Sequence, residues 1–78
     1  MRNAQETLDQ YYLEMRWRCL SLAADLDRVE RCEGGATLLD TDPRIAKLQK
    51  AINVLQSGSK NRAEQVQMIF SDKTPGPK

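Results

Sequence analysis

The sequence predicts an all-α protein: a helical hairpin in which one long N-terminal helix meets a returning arm broken into two shorter helices, the hairpin dimerising into a bundle. Three observations carry this reading. Leu8, Tyr12, Met15, Cys19, Leu22, Leu26 and Val29 recur at alternating steps of four and three, the seam of a long amphipathic helix. Thr41-Asp42-Pro43 then marks the start of a second helix, with Asp42 as N-cap and Pro43 at the first helical position, where a missing N–H costs nothing. The two later helices together run to about 25 residues, close to the length of the first at ~1.5 Å per residue.

The first helix is expected over residues 4–33. Asn3 can accept from an early backbone N–H, and Glu6 three residues on completes a capping-box pattern. The interior is rich in Leu, Ala, Met, Arg and Glu, with no Gly or Pro before Gly34, so propensity agrees with the periodicity. Gly34 is the natural left-handed residue just past the last turn. Residues 36–41 read as a connection, with Leu38 or Leu39 plugging the open end of the hairpin. The second helix, 43–56, carries Ile45, Leu48, Ile52 and Leu55 at helical spacing, with Ala51 beside them, until Ser57-Gly58-Ser59 stops it. Asn61, with Glu64 three residues later, repeats the capping-box pattern at the head of a third helix, 62–72, which carries Val66, Ile69 and Phe70. Residues 73–78, a Pro/Gly tail, are expected to be disordered beside a single helical domain over 1–72. The expected core is the Leu8 to Val29 seam together with Ile45, Leu48, Ile52, Leu55, Val66, Ile69 and Phe70.

The chain has 78 residues, a size at which one core barely suffices and oligomerisation often supplements it. With 29% charged and 40% apolar residues and a mean hydropathy of −0.65, it has the composition of a folded, water-soluble protein. The net charge of +1 conceals an asymmetry. Residues 1–42 hold nine acidic against five basic side chains, a net −4, whereas residues 43–78 hold seven basic against two acidic, a net +5. Two arms packed side by side account for this, their exposed rim pairs contributing about 0 to 1 kcal/mol each. The N-terminus lacks the apolar run of a signal peptide, and no stretch approaches the ~20 apolar residues that span a bilayer, so a cytoplasmic protein is expected. Cys19 and Cys32, thirteen positions apart on one helix and thus ~20 Å along its axis, cannot bridge each other there and read as free thiols.

Catalytic chemistry finds little support. The absence of histidine removes the commonest general base, nucleophile partner and metal ligand. Asp25, Asp27, Glu30 and Glu33 read as a solvated acidic face rather than a metal-binding set, and Asp40-Thr41-Asp42-Pro43 as a helix cap rather than a calcium loop. The expectation is no enzyme, cofactor, metal or small-molecule substrate. Arg16-Trp17-Arg18 resembles a nucleic-acid contact in one dimension only, because on a helix these side chains diverge by about 100°. Arg44, Lys47 and Lys50 supply a modest basic stretch in the second helix, and a nucleic-acid-binding accessory protein using the basic residues of the second and third helices is the alternative reading.

The remaining signal is a second stripe. Leu13, Trp17, Leu20 and Ala24 repeat the same steps on the opposed face of the first helix, which is therefore apolar on two sides. One side can be covered by the rest of the chain; the other asks for a partner, a second copy or another protein. The function expected is a small protein–protein interaction or assembly module acting through Leu13, Trp17, Leu20 and Ala24, most simply as a coiled-coil-like homodimer of four-helix cross-section.

Overall fold

The computed structural model describes residues 2–71. They form four α-helices: α1 (Ala4–Arg31), α2 (Gly35–Thr41), α3 (Pro43–Gln56) and α4 (Arg62–Phe70), with no strand among the described residues. The protein is all-α with a long N-terminal helix and shorter helices after it. The chain divides into two compact units, Met1–Ala36 and Thr37–Lys78, the boundary falling inside α2.

In the first unit, α1 starts where its capping pattern places it. The Glu6 backbone N–H donates to Asn3 Oδ1 at 2.8 Å, and the Asn3 backbone N–H donates to Glu6 Oε1 at 3.3 Å. Two of the donors that every helix N-terminus leaves open are thereby satisfied. The helix ends at Arg31, two residues before the expected position, because Cys32 leaves the helical backbone (φ −77°, ψ 156°) while its N–H bonds Val29 O at 3.1 Å. Gly34 is left-handed as anticipated, at φ +78°, but it serves a turn beyond the helix rather than the last helical turn. The Gly35 N–H closes that turn on Cys32 O at 2.9 Å, which puts Gly34 at the third position, where a positive φ is required. Gly35 is buried for a different reason. A Cβ built there would stand 1.9 Å from Val29 O and 2.9 Å from Glu30 Cα, so the chain can fold back against the end of α1 only without a side chain.

The stretch expected to be a connection is helical instead. From Gly35 to Thr41 it forms α2, closed by the Asp42 N–H on Leu38 O at 2.9 Å and by the Thr41 hydroxyl donating to Thr37 O at 2.9 Å. No Gly or Pro interrupts residues 36–42, and seven residues are too few for a periodic signal to announce a helix. Leu39 is half-buried and Leu38 exposed.

In the second unit, α3 begins as expected at Pro43 with Asp42 as N-cap, its Oδ1 accepting from the Arg44 backbone N–H at 2.8 Å. The Arg44 guanidinium closes on the same carboxylate through Nε (3.0 Å) and Nη2 (3.0 Å). α3 packs against α4. Between them the Ser57 hydroxyl donates to Val54 O and accepts from the Ser59 N–H, and Gly58 takes φ +75°. Asn61 does precede α4, but the capping box does not form. Its backbone is left-handed (φ 59°, ψ 42°) instead of extended, and its side chain caps nothing. The Gln65 side chain donates to Lys60 O at 2.7 Å there. α4 ends at Phe70, before the expected 72, because Ser71 leaves the helical backbone (φ −81°, ψ 90°); Asp72 and the tail expectation, 73–78, lie outside the described residues.

Two outcomes follow for stability. Gly35→Ala lowers the thermal midpoint more than Gly34→Ala does, since it drives a Cβ into backbone, whereas the left-handed conformation alone costs Gly34→Ala about 1 to 2 kcal/mol; equal midpoints by circular dichroism would refute the close approach. Arg44 holds the Asp42 carboxyl well below its ordinary 3.8, at about 2, first through the side-chain hydrogen bonds and then through the backbone one. Because the folded-state pKa is depressed, the cap contributes its full stabilisation above about pH 4 and loses it as pH falls through about 2. Asp42→Asn removes this acid-dependent loss of helicity and leaves the remaining acid titration in place.

Candidate interaction surface

The geometry of α1 places the anticipated partner face as a continuous stripe. Leu13 is 70% exposed, Trp17 68% and Leu20 54%, while Ala24 is half-buried. Two shallow grooves lie along it. One is lined by Leu13, Glu14, Trp17 and Arg18, with Arg18 Nη2 bonded to Glu14 Oε1 at 3.3 Å on its rim. The other is lined by Trp17, Leu20, Ser21, Ala24 and Arg28. Residues 17, 20, 21 and 24 stand at the i, i+3, i+4, i+7 spacing of the four-residue hole that receives a side chain from a facing helix. Ser21 and Arg28 were not singled out by the apolar pattern, which registers only apolar positions; the hole spacing would have found Ser21.

Within the first unit the opposed seam encloses no residue. Leu8 (47% exposed), Tyr12, Met15 and Cys19 are exposed, and Leu22, Leu26 and Val29 are half-buried; α1 has no buried residue. Tyr12, Met15, Arg16 and Cys19 frame a further hole of the same spacing on this side. In the second unit Ile45, Leu48, Ile52, Val66 and Ile69 are half-buried, whereas Leu55 and Phe70, also expected in the core, are exposed. Ala51 is the only buried apolar residue among those described. Among the described residues enclosure therefore falls on the small residues Gly35 and Ala51 rather than on the large side chains that periodicity selects.

The polar candidates stay apart. Asp25 is held by Arg28 at 2.6 Å, and Asp27, Glu30 and Glu33 are exposed. No group of metal-ligating side chains converges among the described residues. Cys19 and Cys32 are free and exposed, the Cys32 thiol donating to Arg28 O at 3.2 Å. In the basic stretch of α3, Arg44 pairs with Asp42 at 3.0 Å while its side chain stays exposed. No helix among the described residues is long and apolar enough to cross a membrane. No protein-family model, curated protein or solved structure matches the chain.

Proposed function

We propose that the chain is a small helical interaction or assembly module that acts through the Leu13, Trp17, Leu20 and Ala24 face of α1, with a second copy or another protein as occupant. The observation that supports this reading is the exposure of Trp17 and Leu13, 68% and 70%, in the middle of a helix that has no buried residue. Covering Leu13, Trp17 and Leu20 contributes about 1.5 to 3 kcal/mol each, enough to offset the lower part of the ~4 to 15 kcal/mol cost of association. Tryptophan is also over-represented among residues whose removal abolishes binding. The module works in the cytoplasm, where two exposed thiols on one short chain stay reduced. We assign no catalysis to a chain without histidine whose acidic side chains form no metal-ligating group among the described residues.

The test is the solution mass of the wild type beside Trp17→Glu at tens of micromolar, within the usual range of micromolar affinities. The wild type runs as a dimer and the variant as a monomer of unchanged far-ultraviolet helicity, with association weakened at least about thirtyfold, as expected for a hot-spot side chain worth ~2 kcal/mol or more. A wild type that is already monomeric removes self-assembly from the reading. A variant that loses its helicity places Trp17 in the folding core and removes the interface.

A further inference from the structure

We infer that the occupant of this face is α1 of a second copy, lying antiparallel, in the register that sets Trp17 opposite the partner's Leu20; this rests on the interaction module proposed above. The inference comes from continuing the stripe to both ends of the helix. At the same alternating steps the face reads Glu6, Gln10, Leu13, Trp17, Leu20, Ala24, Asp27 and Arg31, all within α1. It is apolar in the middle and charged at the ends, with opposite signs at the two outermost positions.

A parallel dimer brings every seam residue against its own copy. Glu6 would then face the partner's Glu6, Asp27 the partner's Asp27, and Arg31 the partner's Arg31: three like-charge meetings in the seam itself. Turning one helix around removes all three. Glu6 then meets the partner's Arg31, Gln10 the partner's Asp27, Leu13 the partner's Ala24, and Trp17 the partner's Leu20, and two-fold symmetry makes each pairing twice. Sizes agree as well as charges. The largest side chain of the stripe comes over the groove between Trp17, Leu20, Ser21 and Ala24, where Ser21 and Ala24 leave room for an indole, and Leu13 meets the alanine. At the rim, Asp9 comes near the partner's Glu30 in the antiparallel pairing and near the partner's Glu14 in the parallel one. Both are like-charge, exposed and screened, so the rim does not choose between orientations.

Single-cysteine chains test the orientation. With Cys19→Ser and Cys32→Ser as background, Gln10→Cys and Asp27→Cys each place one thiol in the stripe without touching the capping box. In the antiparallel register residue 10 lies beside the partner's residue 27 and about 25 Å along the axis from the partner's residue 10, far beyond disulfide reach. Under oxidised glutathione, the mixture of the two variants yields the mixed disulfide dimer, and either variant alone yields at least about tenfold less cross-linked dimer. Cross-linking of each variant with itself, and not with the other, means a parallel pair and overturns this inference while leaving self-assembly standing. A monomeric cysteine-free background that gives no cross-link in any mixture overturns the second copy as occupant together with the self-assembly it rests on.

Discussion

The apolar surface of α1 is the constraint on which the rest depends. A helix of 28 residues is held locally by small terms. Its capping box contributes about 1 kcal/mol, and the Glu14–Arg18 and Asp25–Arg28 pairs a few tenths each. Against these, Leu13, Trp17 and Leu20 alone carry about 1.5 to 3 kcal/mol apiece that is realised only when water is excluded from them. Most helical stability in proteins comes from covering an amphipathic face, and here the uncovered term outweighs the local ones several-fold. Continued along the helix, the same face carries an acid, Glu6, at one end and a base, Arg31, at the other, the charge pattern from which we infer an antiparallel pairing.

Where the chain does enclose something, the enclosed residue is small. Gly35 and Ala51 are the two buried residues among those described, and neither has a side chain that could interdigitate. At Gly35 the reason is direct: backbone of Val29 and Glu30 occupies the space a Cβ would need. Close backbone approach buries little apolar area compared with packed leucines, so it sets the path of the chain rather than supplying the stability of a core.

What the sequence determined by itself were the features decided by neighbours a few positions apart. The capping box of Asn3 and Glu6, the Asp42-Pro43 start of α3, the left-handed Gly34 and the long run of α1 all follow from local hydrogen bonding, fixed φ and 3.6-residue periodicity. Its failures were also local: α2 is too short for periodicity to register, and at Asn61 the residue type suited a cap that the left-handed backbone does not permit. Only the tertiary structure decided which apolar stripe is covered and which is not. Leu8, Tyr12 and Met15 have the same spacing as Ile45, Leu48 and Ile52, yet the first three are exposed and the second three half-buried. Spacing places side chains on a common face, but burial depends on whether another element lies against that face, and no arrangement of residues within one helix carries that information.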